Sequence, residues 1–253
     1  MNTESRSNIK KLIGLIPDNG IVTTAFLRKN GFSYSSLFGY KSYGWIDEFG
    51  HGAYCRHAHT PSIYAGLDAA TNQLGLNVRV GGRSALARKG YLHFIPFQDQ
   101  KVSLYLLRGQ RLPKWFSAQY HNAYTISATT ILPADLGITS ATESGFHFKQ
   151  SAPERAILEL LEQVPRNVQL NECYQILEMM ATLRTSLVQE LLEKCSSVKV
   201  KRLFLLLAED LNHAWLKDIN LSHINLGSGC RVIDNGGTFN TKFNLITKPW
   251  REI

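Results

Sequence analysis

Residues 22–44 read VTTAFLRKNGFSYSSLFGYKSYG, a pattern typical of two short helices joined by a tight turn. A threonine at the start of the first helix and Ser33 at the start of the second can accept hydrogen bonds from the free amides there. Gly31 stands where the first helix must stop, at a point where the backbone can take a positive φ. Gly44 ends the second helix. The sequence therefore predicts a helix-turn-helix in this stretch.

The second helix of this pair has two chemically different faces. Leu37 and Tyr40 lie three residues apart and can pack, together with Phe32, against one core. Hydroxyls, aromatic rings and a lysine fall on the other face: Tyr34, Ser35, Phe38, Lys41 and Ser42. A surface of this composition is suited to reading a DNA groove.

A predicted hairpin follows directly. Residues 45–56 read WIDEFGHGAYCR, which indicates a strand, a glycine turn at 50–52 and a second strand. Helix, turn, helix and hairpin is the order of a winged helix-turn-helix, a common way of placing a helix in the DNA major groove. Because some winged helices bind only proteins, the pattern leaves a protein-interaction module open as the alternative.

Charge is distributed unevenly along the 253 residues, whose net charge is +8. Residues 1–116 contain 15 Lys and Arg against 6 Asp and Glu, whereas residues 117–253 contain 13 against 14. A basic half beside a helix-turn-helix is typical of phosphate contact, although a solvated basic surface is the plainer interpretation. Since charge and motif coincide, we favour nucleic acid.

A second glycine-rich segment opens another predicted helix at residues 81–84. Free amides at a helix start can hold an anion, but Gly81 and Gly82 can equally serve to let a strand turn into a helix, and we favour that structural role. The nearby cations are candidates for contact with the DNA backbone. The complete set of predicted DNA-binding residues is Thr23, Thr24, Ser33, Tyr34, Ser35, Ser36, Phe38, Lys41, Ser42, His51, Arg56, Arg83, Arg88 and Lys89.

Other site chemistries are weakly supported. Cys55, His57 and His59 alternate along a strand and could converge on a metal, but a fourth ligand is not evident, and a solvated end of the wing explains them better. Glu209 and His213 lie one helical turn apart and could act as acid and base, yet a solvated helix end explains them equally well. Without a Walker A, G-x-S-x-G or H-E-x-x-H motif, we expect no catalysis, metal or cofactor.

The chain as a whole predicts the α+β class in three parts: a winged helix-turn-helix over 1–60, a small mixed α/β module over 61–150, and a helix-rich C-terminal domain closed by short strands over 151–253. Four apolar stripes after residue 151 indicate a helix bundle, whose first helix carries a capping-box pattern from Ser151 to Glu154. We predict strands at 91–96, 102–107, 123–132, 145–149 and 243–247, and a polar loop at 139–144. No membrane span or signal-peptide core is evident, so we expect a cytoplasmic protein.

Several stretches together resemble the AbiEi antitoxins of bacterial abortive-infection toxin–antitoxin systems, and the likeness runs nearly end to end. They are Tyr40-Lys-Ser-Tyr-Gly-Trp45, Gly50-His-Gly-Ala-Tyr54, Val80-Gly-Gly-Arg-Ser-Ala-Leu86 followed by Gly90, Leu112-Pro-Lys-Trp115, Ser151-Ala-Pro-Glu-Arg-Ala156, Val198-Lys-Val-Lys-Arg-Leu-Phe204, Trp215 and Leu226-Gly-Ser-Gly-Cys-Arg231. The order and spacing of these stretches are more specific than any single one.

The resemblance implies a non-catalytic antitoxin and autoregulating repressor. Its winged helix would bind inverted repeats in its own promoter, an arrangement compatible with a homodimer on DNA. Its C-terminal part would counteract a cognate nucleotidyltransferase-like toxin encoded next to it. The resemblance does not tell whether the antitoxin contacts that toxin directly. The aromatic character of the second helix leaves the operator sequence open.

Overall fold

The computed structural model of the chain describes residues 3–92, 101–128 and 130–250, with side chains from residue 7 onward. Helices and short strands alternate along these ranges, so the α+β prediction is confirmed. Within them, no helix combines the length and the apolar character needed to cross a membrane.

The N-terminal part follows the predicted order of helix, helix-turn-helix and hairpin. Its elements are α1 (Thr3–Leu15), β1 (Val22–Thr23), α2 (Thr24–Lys29), α3 (Tyr34–Ser42), β2 (Ile46–Gly50) and β3 (Ala53–Arg56). The three strands form one antiparallel sheet in the order β1-β3-β2. This arrangement is a winged helix-turn-helix, in which β2 and β3 make the wing.

The middle of the chain is mixed. It contains α4 (Ile63–Asp68), which continues as a π-helical turn over Ala69–Gln73, then β4 (Val78–Val80), α5 (Gly82–Arg88), β5 (Val102–Leu106), α6 (Lys114–Gln119), β6 (Tyr124–Ser127), β7 (Ile138–Glu143) and β8 (Phe146–Ser151). The five strands form one sheet in the order β6-β5-β4-β8-β7.

The C-terminal part is helical and ends in three short strands. Its elements are α7 (Pro153–Glu162), α8 (Leu170–Glu178), α9 (Thr185–Lys194), α10 (Val198–Asp210), two 3₁₀ turns (Ala214–Asp218 and Leu221–His223), β9 (Arg231–Val232), β10 (Thr238–Asn240) and β11 (Leu245–Thr247). The last three form a small sheet in the order β10-β11-β9. Four consecutive helices and a strand near residue 245 were both expected from the sequence, and both predictions are confirmed.

Contacts divide the chain into two compact units. The first comprises residues 1–79, 100–126 and 140–149, and the second comprises 80–99, 127–139 and 150–253. The winged helix therefore shares its unit with segments from well beyond residue 60, because α6 packs against the wing strand β2. The predicted three-part division groups the residues differently and stays a prediction.

The second unit is built on an apolar core from α7 to α10. Every residue of α10 from Val200 to Ala208 is buried, which confirms its predicted central position. Arg202 lies in this buried stretch, and its guanidinium donates to the backbone carbonyls of Leu226, Gly227, Gly229 and Asn244. The helix thereby holds the glycine-rich segment that follows it, because four backbone carbonyls from residues 226–244 accept hydrogen bonds from one buried guanidinium.

A buried ion pair lies beside this core. Arg155 and Glu159 are 1% and 0% exposed, and the Arg155 Nε lies 2.8 Å from Glu159 Oε1. The Ser151 hydroxyl also donates to Glu159, at 2.9 Å from Oε2. The predicted capping box is therefore wrong: Ala152 precedes α7 without a side-chain cap, and Glu154 instead accepts hydrogen bonds from Arg184.

Some strand predictions need correction. Residues 139–144, predicted as a polar loop, lie almost entirely in edge strand β7, because positive φ angles at Ser144 (49°) and Gly145 (85°) make a tight hairpin into β8. The strand predicted over 123–132 forms only over β6. The strand predicted over 91–96 lies mostly outside the described residues, and Tyr91 and Leu92 are not in a strand.

Candidate nucleic-acid interface

The predicted caps hold α3 in place. The Thr23 hydroxyl accepts a hydrogen bond from the Phe26 amide at 3.2 Å at the start of α2, and the Ser33 hydroxyl accepts one from the Ser36 amide at 3.1 Å at the start of α3. Gly31 has a φ of +92°, which a side chain would strain, so the chain can leave α2 sharply and enter α3. The local sequence thus determines where both helices begin and where the turn lies.

One face of α3 is buried as predicted. Phe32 and Leu37 are 5% and 1% exposed and pack in a cluster with Leu12 of α1 and with Ile16, which directly follows α1. Tyr40 packs against this cluster, and its ring centroid lies 6.2 Å from that of Phe32 in an edge-on arrangement. Because this face is anchored, the orientation of α3 is set and the opposite face must point outward.

The outward face carries the residues predicted for it. Tyr34 is 62% exposed and Phe38 is 73% exposed. They lie four residues apart and are therefore neighbours on one side of the helix. Ser35, Lys41 and Ser42 are also exposed. Two further aromatic residues that the prediction did not include, Tyr43 and Trp45, are 78% and 40% exposed at the end of the helix.

Cations border this face, but they are not equivalent. Lys41 forms an ion pair with Glu48 on strand β2, and the hydrogen bond that its ammonium donates to Glu48, together with the carboxylate charge, raises the pKa of Lys41. Arg28, in the last turn of α2, lies over the Tyr34 ring with its guanidinium carbon 4.6 Å from the centroid. Among the described residues, Arg28 and Lys29 have no carboxylate within ion-pair distance. They are the cations beside α3 that are available to a phosphate.

The wing is supported by a segment that the sequence did not point to. Phe49 of β2 packs with Trp115 and Tyr120, at ring-centroid distances of 6.2 Å and 5.7 Å. The Gln119 side chain donates to the Phe49 carbonyl at 2.6 Å. His51 stays exposed at the hairpin turn. The aromatic residues concentrated in residues 115–124 are the sequence signal that could have predicted this support of the wing.

Two residues predicted to contact DNA have structural roles. Thr23 is 2% exposed, because its side chain caps α2 and its strand lies in the small sheet, so its side chain presents almost no surface to DNA. Arg56 donates to the carbonyls of Ile16 (2.9 Å) and Ile13 (3.0 Å) and pairs with Asp18. It therefore ties the end of α1 to the wing, and a DNA contact by Arg56 stays a prediction.

The three cations predicted in the middle of the chain belong to the second unit. Arg83 pairs with Glu172, Arg88 donates to the Gln150 side chain at 2.9 Å, and Lys89 is exposed. The amide of Gly82, at the start of α5, donates to Glu159 at 3.0 Å. An internal carboxylate thus occupies this helix start, which accords with a structural role for the glycines and leaves no place there for an external anion.

The residues of the candidate metal cluster and of the acid–base pair are engaged with other partners. Among the described residues no group of three His, Cys, Asp or Glu side chains could hold a metal. Cys55 is buried, and burial raises its pKa to about 11, whereas His57 bonds to Asp47 and His59 to Asn19. Glu209 pairs with Lys242.

The imidazole of the other member of that pair is also engaged elsewhere. His213 Nε2 lies 2.8 Å from the carbonyl oxygen of Leu177, and its ring stacks on Trp215 with a centroid distance of 5.1 Å. These contacts hold His213 against the helical core. The interpretation of Glu209 and His213 as a solvated helix end is therefore only half correct, since the histidine is partly buried.

Two family models match nearly the whole chain. Residues 5–97 match the N-terminal domain of the AbiEi antitoxin, a transcriptional regulator. Residues 99–248 match a model described as transcriptional regulator, AbiEi antitoxin, type IV toxin–antitoxin system. The chain belongs to the AbiEi antitoxin family. The AbiEi resemblance drawn from the sequence is confirmed, and the protein is an antitoxin and transcriptional regulator by family rather than an enzyme.

A solved structure supports the fold of this AbiEi protein. The crystal structure of the RV2827C protein from Mycobacterium tuberculosis superimposes with a TM-score of 0.63 over 97% of this chain and 92% of that chain, at 14% sequence identity. At that identity the likeness concerns the fold alone. No curated protein matches the AbiEi chain described here.

Proposed function

We propose that this AbiEi protein is an autoregulating repressor that inserts α3 into the major groove of its own promoter. The observation that carries the proposal is the exposed face of α3, with Tyr34 and Phe38 outward on a helix whose opposite face is anchored in the core. A recognition helix in a helix-turn-helix reads base edges mainly with its N-terminal residues. Tyr34 and Phe38 occupy the first and second turns of α3.

Phosphate contacts are assigned to the cations beside this face. Arg28 and Lys29 end α2, and Arg28 is held over Tyr34 at the start of α3. Contacts of this kind fix the position of a protein on the duplex and supply most of the salt-dependent affinity. Thr24, Ser33, Ser36 and Ser42, together with His51 at the wing turn, remain proposed minor contacts.

Membership of the antitoxin family supports proposals for the assembly and for a second partner. Inverted repeats present two equivalent half-sites, so a homodimer would place one α3 in each of two major grooves. The antitoxin activity would be directed at a nucleotidyltransferase-like toxin, and we assign it to the second unit, since the winged helix is occupied with DNA.

DNA binding is tested with the full chain and a labelled duplex covering the region upstream of its coding sequence. Anisotropy titrations at several salt concentrations should give an affinity that falls steeply with salt, and a scrambled duplex of equal composition should bind more weakly. The variant Tyr34→Ala/Phe38→Ala should lose the preference for the upstream duplex. Arg166→Ala, an exposed cation on the second unit, is the matched control and should retain it. Equal affinity for both duplexes would refute the proposal.

Separation of the two activities tests the antitoxin assignment. Co-expression with the neighbouring nucleotidyltransferase-like gene, scored by growth, should show rescue by the native chain and by Tyr34→Ala/Phe38→Ala alike. A promoter fusion measured in the same cells should be repressed only by the native chain. If the double variant loses rescue but leaves reporter repression intact, α3 serves as a protein-docking surface, and the alternative of a winged-helix interaction module is correct.

A further inference from the structure

The hydroxyl groups of α3 are largely committed to the helix itself. Ser33 and Ser35 share a hydrogen bond with an oxygen–oxygen distance of 2.9 Å, Ser36 donates to the Ser33 carbonyl at 2.8 Å, and Ser42 donates to the Phe38 carbonyl at 3.0 Å. Lys41 is committed to Glu48. The serine hydroxyls and the Lys41 ammonium of this face are therefore already bonded within the protein, whereas the Tyr34 hydroxyl at the helix start keeps its hydrogen-bonding capacity.

The aromatic side chains of the same face are not committed in this way. Phe38 is 73% exposed and lies in the middle of α3, four residues after Tyr34. An exposed phenyl ring at the centre of a recognition face has no hydrogen-bonding capacity, so it can contribute only apolar contact. In the major groove one base edge alone offers an apolar group, the C5-methyl of thymine.

We infer that this α3 selects its operator through thymine methyl groups, with Phe38 as the specificity-determining residue. The inference rests on the proposed DNA-binding function and names the base that the helix recognises. Phe38 would cover the methyl group and remove it from water, while Tyr34 and Arg28 lie toward the helix start and the phosphate backbone. Recognition would depend on shape and apolar contact more than on hydrogen bonds to bases.

The test removes the methyl group without changing base pairing. A duplex selected by the full chain from a randomised pool is resynthesised with deoxyuridine at one thymine position at a time. At one or two positions per half-site, the native chain should bind the deoxyuridine duplex about fourfold more weakly, the factor expected for burying one methyl-sized apolar group. For Phe38→Ala, thymine and deoxyuridine duplexes should bind equally at those positions.

Two further variants identify the source of any effect. Phe38→Leu keeps an apolar side chain and should retain part of the discrimination. Tyr43→Ala removes an equally exposed aromatic residue, 78% exposed, that lies at the end of α3 away from Tyr34 and Phe38, and it should discriminate as the native chain does. Because Phe38 is exposed, its variants should melt at the native temperature, which thermal unfolding checks.

Each outcome decides the inference. A deoxyuridine penalty for the native chain that disappears in Phe38→Ala supports it. A penalty of equal size in both proteins shows that another residue reads the methyl group, and no penalty in the native chain shows that thymine methyls are not read. In those two cases DNA binding itself stands. If the pool yields no bound duplex, the proposed function fails and the inference fails with it.

Discussion

The Arg28 guanidinium carbon lies 4.6 Å from the centroid of the Tyr34 ring. This contact joins the last turn of α2 to the first turn of α3 and holds a cation at the start of the exposed face. A guanidinium over an aromatic ring is attracted by the ring quadrupole. The free amides at the start of α3 add partial positive charge at the same end of the helix. The Arg28–Tyr34 contact therefore holds a positive charge at the start of α3, where it can contact a DNA phosphate.

We predict that Arg28→Ala weakens binding to the upstream duplex and makes it less salt-dependent. If Arg28 contacts one phosphate, the slope of log affinity against log salt should fall in magnitude by about 0.9. Titrations at four or more salt concentrations measure this slope. Arg166→Ala should leave it unchanged, and parallel slopes for the native chain and Arg28→Ala would show that Arg28 neutralises no phosphate.

The Lys41–Glu48 ion pair predicts two substitutions with opposite effects. Glu48→Gln removes a carboxylate beside α3 and frees Lys41, so DNA affinity should rise several-fold. Lys41→Ala should lower it modestly, because this lysine must first leave Glu48 to reach DNA. Both groups are substantially exposed, so neither change should alter stability by more than about 1 kcal/mol. If Glu48→Gln binds DNA no more tightly than the native chain, the pair does not compete with DNA.

Two glycines of the first unit should respond oppositely to alanine. A Cβ at Gly50 would lie 2.7 Å from Trp115 Cβ, so Gly50→Ala should destabilise the unit by about 1–3 kcal/mol through overpacking of the wing. A Cβ at Gly39, inside α3, meets no atom within 4 Å, so Gly39→Ala should stabilise it by about 0.5–1 kcal/mol through helix propensity. Urea unfolding followed by tryptophan fluorescence measures both. If Gly50→Ala leaves the free energy of unfolding unchanged, α6 can shift away from the added methyl group at little energetic cost.

The Glu154–Arg184 pair makes a prediction about pH. Burial acts to raise the pKa of Glu154, but hydrogen bonds and charge from Arg184 outweigh it and hold the pKa below its usual 4.5. The stability from this pair is therefore complete above pH 4.5 and is lost as pH falls through the lower pKa of the folded state. The gap in unfolding free energy between the native chain and Glu154→Gln should be largest near pH 7 and shrink below pH 4.

A matched substitution controls for general acid effects. Glu190→Gln breaks an exposed pair with Lys194 on α9 and should cost less than about 0.5 kcal/mol at either pH. Urea midpoints of all three proteins at pH 7 and at acid pH supply the comparison. A constant gap for Glu154→Gln across this range would mean that the charge on Glu154 contributes nothing. The exposure of Arg184 limits the size of the effect, because solvent screens its charge.

Local signals in the sequence predicted much of the winged helix. The caps at Thr23 and Ser33, the turn at Gly31 and the burial of Leu37 all depend on residues within a few positions of one another. Such features follow from hydrogen bonds and helix periodicity that act over a single turn. The same reasoning identified the exposed face of α3 and the helices of the second unit.

Charge counting was less informative about the site. The sequence predicts DNA contacts for Arg83 and Arg88 as cations near a helix start in the basic half of the chain, and for Arg56 as part of the wing. In the fold Arg56 binds carbonyls of α1, Arg83 pairs with Glu172 and Arg88 donates to Gln150. Net charge counts every cation equally. Whether a cation can contact DNA depends also on the residues it pairs with, and for these contacts of the three arginines those residues lie 40 to 89 positions away in the sequence.

The amino-acid sequence alone determined where α2 and α3 begin and end, which face of α3 is apolar, and which family the motifs resemble, since these depend on neighbouring residues and their order. Only the tertiary structure decided which cations are paired with distant residues, and that α6 supports the wing through Phe49 and Trp115. Both features depend on which segments distant in the sequence come into contact, because a side chain bonds to or packs against whichever neighbours the fold brings beside it.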